Sequence, residues 1–127
     1  MNNKKILVVD DEQDFLDFVK LRLESNGYTV ITALDGEEAL FVFKKERPDL
    51  VLLDILMPKF DGFKVCQEIK KDPLSSHIPV LMLTAKDRAL DIKQAKHVGA
   101  NGYIVKPFDA ATLLFNIKEQ LDKVKGS

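Results

Sequence analysis

The chain has one cysteine, Cys66, so it cannot form an internal disulfide, a usage that agrees with a reducing, cytoplasmic compartment. It has no excess of either charge. With 19 basic and 20 acidic residues the formal net charge is -1, without the basic footprint of direct nucleic-acid binding. No apolar run is long enough for membrane insertion, and the run after Met1-Asn2-Asn3-Lys4-Lys5 is too short for a signal peptide. Linkers, repeats and low-complexity stretches are absent. So are the glycine-rich phosphate loops: the first strand–helix turn reads Asp10-Asp11-Glu12 where a dinucleotide fingerprint would stand, and no Walker-type lysine loop occurs. What remains is a soluble globular domain, 46% hydrophobic and 31% charged, read as one domain over residues 1–127.

What the chain does have is four short apolar runs that each end on a residue suited to phosphate and metal chemistry. Ile6-Leu7-Val8-Val9 stops at Asp10-Asp11, and Leu50-Val51-Leu52-Leu53 stops at Asp54. Val80-Leu81-Met82-Leu83 stops at Thr84, and Tyr103-Ile104-Val105 stops at Lys106. Runs of this length, bounded by polar breaks, read as buried strands.

Helical patterns lie between them. Phe15, Leu16, Val19 and Leu23 form an apolar face that Gly27 is expected to end as a C-terminal cap. Tyr28–Ala33 is a β-branched strand, and Asp35 caps a helix carrying Ala39, Leu40 and Phe43 that stops before Pro48. Phe63, Cys66 and Ile69 mark a third helix. A fourth spans about residues Asp87–Val98, and a fifth, about Asp109–Val124, turns Leu114, Ile117, Leu121 and Val124 to the core and Phe115 outward. Alternating strands and helices imply an α/β fold: a doubly wound, five-stranded parallel sheet with helices on both faces. In such sheets ligands bind beyond the carboxyl ends of the strands, so the four polar run ends should meet in one crevice.

Clustered carboxylates need a cation, and hard oxygen donors that leave room for water and phosphate suit Mg²⁺. An aspartate can attack phosphorus to give an aspartyl phosphate, with lysine and threonine holding the remaining phosphoryl oxygens. The carboxylate on the central strand, Asp54, is the candidate nucleophile.

The ordered set Asp10-Asp11, Asp54 followed by Met57-Pro58 and Asp61-Gly62, Thr84-Ala85 and Lys106-Pro107 resembles the receiver domain of bacterial two-component response regulators, the family of the chemotaxis receiver. The sheet order 2-1-3-4-5, flavodoxin-like and known for that receiver, comes with the resemblance. The resemblance implies a phosphorylation-controlled signalling switch, not a dedicated enzyme, in which Asp54 accepts phosphate from a sensor histidine kinase or phosphotransfer protein. Mg²⁺, replaceable by Mn²⁺, would be held by Asp11, Asp54 and the backbone carbonyl of Leu56, with Asp10 acting through water. Thr84 and Lys106 would contact the phosphoryl group, and Tyr103 would turn inward when Thr84 moves. A cis bond before Pro107 would aim Lys106 into the crevice. Leu56 and Lys86 occupy the positions that vary with phosphoryl lifetime. The output would leave through the face of helix 4, strand 5 and helix 5, toward a downstream protein, an output domain or a phosphorylation-dependent homodimer.

Simpler readings compete. Asp10 or Asp11 alone could be a helix cap, as Asp35 and Asp109 are read, Thr84 a capping hydroxyl, Lys106 a solvated charge and Tyr103 a half-buried strand aromatic; His77 and His97 read as surface residues. Two rival functions remain. A Mg²⁺-dependent aspartyl-phosphate phosphatase commonly needs a second aspartate two residues after the nucleophile, where this chain has Leu56. A receiver-like module that binds without phosphorylation usually lacks an acidic residue or the lysine, all of which are kept here.

Overall fold

The computed structural model describes residues 4–55, 62–85 and 89–126. Strands and helices alternate as β1 (Lys5–Val9), α1 (Gln13–Glu24), β2 (Thr29–Ala33), α2 (Gly36–Glu46), β3 (Leu50–Asp54), α3 (Gly62–Lys71), β4 (Val80–Ala85), α4 (Ala89–His97), β5 (Gly102–Lys106) and α5 (Ala110–Gly126). The strands pair in parallel in the order β2-β1-β3-β4-β5, the doubly wound topology expected.

Why the runs are apolar throughout is now plain. Every residue of β3 is buried, because helices cover both faces of the sheet. On one face Leu7, Val9, Val51, Leu53, Val80 and Met82 meet side chains of α2, α3 and α4, among them Phe43, Cys66, Ile69 and Ala95. On the other, Ile6, Val8, Leu50, Leu52, Leu81 and Leu83 meet Leu16, Val19 and Leu23 of α1 and Leu113 and Ile117 of α5. The strand ends are therefore fixed between two packed layers, and truncating Leu52 to alanine would cost about 2–5 kcal/mol.

The helix caps follow the sequence. Asp35 Oδ1 accepts from the Glu38 N–H at 2.8 Å while the Glu38 carboxylate accepts from the Leu34 N–H at 2.7 Å, and Asp109 Oδ1 accepts from the Thr112 N–H at 2.8 Å. The expected glycine cap of α1 is present as well: Gly27, left-handed at φ 90°, donates its N–H to the Glu24 carbonyl at 3.1 Å, and the Tyr28 N–H donates to the Leu23 carbonyl at 3.2 Å, closing the helix as the chain turns into β2. Side chains add to it in a way the sequence did not suggest: the Ser25 hydroxyl donates to the Leu21 carbonyl at 2.7 Å and the Asn26 amide to the Arg22 carbonyl at 2.9 Å.

The buried stripe of α5 is also rotated from the expected one, to Leu113, Ile117 and Gln120, with Leu114 and Leu121 flanking and Val124 39% exposed. The Gln120 amide donates to the Asn101 carbonyl at 3.4 Å, which gives a polar residue a reason to face inward. Phe115 lies outward as expected, 66% exposed, and His77 and His97 are at the surface. The expected start of the fourth helix at Asp87 lies outside the described residues. The Lys106–Pro107 bond is cis, as the resemblance implied.

Candidate functional site

The parallel register brings the strand ends level. Val9 stands opposite Leu53, Asp54 opposite Leu83, and Ala85 opposite Lys106, so the residues that close β1, β3, β4 and β5 border one crevice. Asp10 continues the ladder beyond β1, its N–H donating to the Ala33 carbonyl at 3.1 Å. Its side chain is fully buried, and Oδ1 accepts from the Glu12 N–H at 3.0 Å, turning the chain into α1. The cap-like role and the charged role thus belong to one residue.

A buried carboxylate is costly unless it is paired. The Lys106 ammonium lies 2.9 Å from Asp10 Oδ2 and 3.6 Å from Asp54 Oδ2. It also sits 4.3 Å from the centroid of the Phe15 ring, which is braced edge-on by Phe108 with centroids 5.9 Å apart and an interplanar angle of 82°. Burial would lower the pKa of this ammonium. The hydrogen bond to Asp10 and the charges of Asp54 and Asp10 outweigh burial and raise it above the ordinary lysine value.

The carboxylate oxygens of Asp10, Asp11 and Glu12 lie within 4.8 Å of one another, Asp10 buried and the other two exposed. All three offer hard oxygen donors on a crevice open to solvent, a set that fits Mg²⁺. Asp54 is 8% exposed and reaches that group through Lys106. Helix α3 begins hard against it: a Cβ on Gly62 would run into the Asp54 backbone carbonyl oxygen, and the Gly62 N–H donates to the Ile55 carbonyl at 3.2 Å. A glycine at that position lets the helix approach the strand end.

Thr84 is buried at the end of β4, and its hydroxyl donates to the Ala85 carbonyl at a long 3.4 Å. Tyr103 is not part of the cluster. It is 41% exposed on the edge strand, lining a cleft of about 240 Å³ with Ala95, Lys96 and Ala100. Leu56, expected to lend its carbonyl to a metal, lies outside the described residues, as do Met57, Pro58, Asp61 and Lys86. Two neighbours carried no role in the sequence reading. Glu12 stood beside the aspartate pair without a partner to single it out, and Phe15 read only as part of the core face of α1. A further cleft of about 340 Å³, lined by Lys4, Arg47, Asp49, His77 and Pro79 among others, sits at the opposite ends of the strands, away from this chemistry.

Comparison with known proteins agrees with this fold. The sequence model of the response regulator receiver domain matches residues 6–118. The chain is 46% identical over 126 residues to "Probable transcriptional regulator ycf27" of Cyanophora paradoxa, covering 99% of this chain and 52% of that protein. It is 46% identical over 116 residues to the alkaline phosphatase synthesis transcriptional regulatory protein PhoP of Bacillus subtilis, covering 91% of this chain and 48% of that one. The chain therefore spans about half the length of the curated relatives it matches. Among solved structures, a CheY-like receiver domain protein from Methanospirillum hungatei superposes with a TM-score of 0.92 at 33% identity, covering 98% of both chains. The chemotaxis protein CheY4 of Vibrio cholerae does so with a TM-score of 0.88 at 36% identity, over 93% of this chain and 98% of that one.

Proposed function

This chain belongs to the response regulator receiver domain family, whose members are phosphorylation-controlled signalling switches, and on that premise we propose that its switch is thrown at Asp54. An Asp54 carboxylate oxygen attacks the phosphorus of the donor; a new O–P bond forms, and the donor leaves with the electron pair of the P–O or P–N bond that breaks. The donor is a sensor histidine kinase, a phosphotransfer protein or a small acyl phosphate. The chain catalyses its own phosphorylation and dephosphorylation and turns over no other substrate.

The observation that carries the reading is the placement of Lys106. One ammonium lies within 3.6 Å of the central-strand carboxylate and 2.9 Å of its buried neighbour, where phosphoryl oxygens on Asp54 would find a positive charge already aimed. Thr84 would supply a hydroxyl from the next strand. Asp11 and Asp54, with the Leu56 carbonyl and with Asp10 acting through water, would hold Mg²⁺. Bound there, Mg²⁺ would neutralise the crowded carboxylates and the charge that develops on the phosphoryl group.

The consequence would be carried to the surface by Thr84 and by Tyr103, which turns in from its exposed position. The changed face is that of α4, β5 and α5, where Leu90 is 79%, Tyr103 41% and Phe115 66% exposed. A downstream protein, an output domain or a second phosphorylated copy would read it. A location in the cytoplasm belongs to the same proposal; among the described residues no helix is long and apolar enough to cross a membrane.

Intact mass after incubation with acetyl phosphate tests the reading. Uptake of one phosphoryl group is expected with Mg²⁺ or Mn²⁺, and none without divalent cation or in Asp54→Asn. Full uptake by Asp54→Asn would remove Asp54 from its role.

A further inference from the structure

Among the described residues the Lys106 ammonium is held from three sides, two of them carboxylates. Asp10 and Asp54 supply the charge, at 2.9 and 3.6 Å, and the face of Phe15 supplies the third contact at 4.3 Å. Phe15 stands in the first turn of α1, and Phe108 lies in the connection from β5 to α5; their edge-on contact joins the two segments over the crevice. We propose that Phe15, braced by Phe108, is a positioning residue for phosphoryl transfer, holding the Lys106 ammonium where it meets the phosphoryl group on Asp54. The inference rests on the reading of Asp54 as acceptor.

The physical case is one of charge and flexibility. Lysine carries its charge on a flexible four-carbon stem, and without a fixed seat the ammonium would sample solvent. A further carboxylate could seat it, but would add to the repulsion already present among Asp10, Asp11, Glu12 and Asp54, and would repel an incoming phosphoryl group. An aromatic face attracts a cation through its quadrupole and carries no net charge. It neither ligates a metal nor titrates, so its hold on Lys106 is unaffected when the charge of the crevice changes. The ring also closes the α1 side of the ammonium to water, which strengthens its pull on the carboxylate side.

The test uses the whole chain in three further forms: Phe15→Leu, which keeps apolar bulk, Phe15→Tyr, which keeps the ring, and Phe108→Leu, which removes the brace alone. Circular dichroism establishes that each variant is folded. In the unphosphorylated protein the Lys106 Cε–Hε resonances should be displaced upfield by the Phe15 ring, and should move back toward those of other lysines in Phe15→Leu. With acetyl phosphate and Mg²⁺, Phe15→Leu should lower the maximal rate of uptake roughly fivefold, the size of one partly exposed cation–π contact, at an unchanged half-saturating donor concentration. Phe15→Tyr should recover the rate, and Phe108→Leu should shift it in the same direction by less. A native chain that takes up phosphate no faster than Phe15→Leu, or whose Lys106 resonances show no ring displacement, overturns the inference alone. A native chain that takes up no phosphate overturns the acceptor assignment as well.

Discussion

Removing the Lys106 charge probes the crevice most severely, because Asp10 is fully buried and the ammonium lies 2.9 Å from its Oδ2. Lys106→Met keeps most of the stem and its packing while deleting the ammonium. Among the described residues Asp10 would then keep the Glu12 N–H at 3.0 Å as its remaining side-chain partner. Breaking a fully buried ion pair costs about 3–5 kcal/mol, and a charged hydrogen bond contributes about 1.5–3 kcal/mol. The Lys106 side chain is 27% exposed, so solvent reaches one side of the pair and the lower end applies: about 2 kcal/mol. For a domain of this size that is a fall in Tm of roughly 6–12 °C. Urea unfolding of native protein, Lys106→Met, Asp10→Asn and the double variant gives the coupling. The same lysine substitution should cost less than about 0.5 kcal/mol once Asp10 is asparagine. Repeated with Asp54→Asn, the cycle should show weaker coupling, since that contact is 3.6 Å. Equal costs in all backgrounds would mean that Lys106 stabilises through its stem and that the charged triangle carries no energy.

Three further outcomes are expected. Mg²⁺ at about one hundred times its dissociation constant should stabilise the native chain by about 2.7 kcal/mol, and Asp11→Ala should lose most of that gain in a thermal melt; unchanged stabilisation would place the metal elsewhere. Gly62→Ala should destabilise the fold by about 1–2 kcal/mol although alanine favours helix by about 1 kcal/mol, because its Cβ meets the Asp54 backbone carbonyl; a more stable variant would show that α3 can shift away without penalty. Because the folded chain raises the Lys106 pKa, it binds that proton more tightly than the unfolded chain does. The contribution is therefore complete below pH 10.5 and is lost as pH rises through the folded value, so the stability gap between native protein and Lys106→Met should be flat from neutral pH to near 10 and close above it.

The strands and the acidic, hydroxyl and ammonium ends of the crevice were legible because each is a local pattern: an apolar run with one polar residue at its carboxyl end. Parallel topology then does the assembling, since β1, β3, β4 and β5 all deliver those ends to the same edge. Asp35 and Asp109 were equally legible as caps, being read from a window of four residues. What could not be read was angular or distant. Gln120 faces inward because its amide meets Asn101, a contact between a helix and the entry to a strand that no periodicity encodes. Gly27 was legible as the cap of α1, but the bonds that the Ser25 hydroxyl and the Asn26 amide add to its last turn were not, each being one of several such a side chain could make. Phe15 shares an apolar spacing with Val19 and Leu23 and so reads as core, yet it lies at the edge of the stripe, where its ring meets a lysine from the far end of the chain. Glu12 gives no signal at all in sequence, since exposed carboxylates are common and only the turn at Asp10 brings it into the group.

The central claim is that the central-strand carboxylate, seated against Lys106, is the atom that takes the phosphate. Its most direct test is to phosphorylate the chain with acetyl phosphate and Mg²⁺, reduce the acyl phosphate with borohydride, and locate the reduced side chain by fragment mass spectrometry. The account predicts a single reduced position, residue 54. Reduction at residue 10, 11 or 12, or a phosphoryl group that resists borohydride, would contradict it.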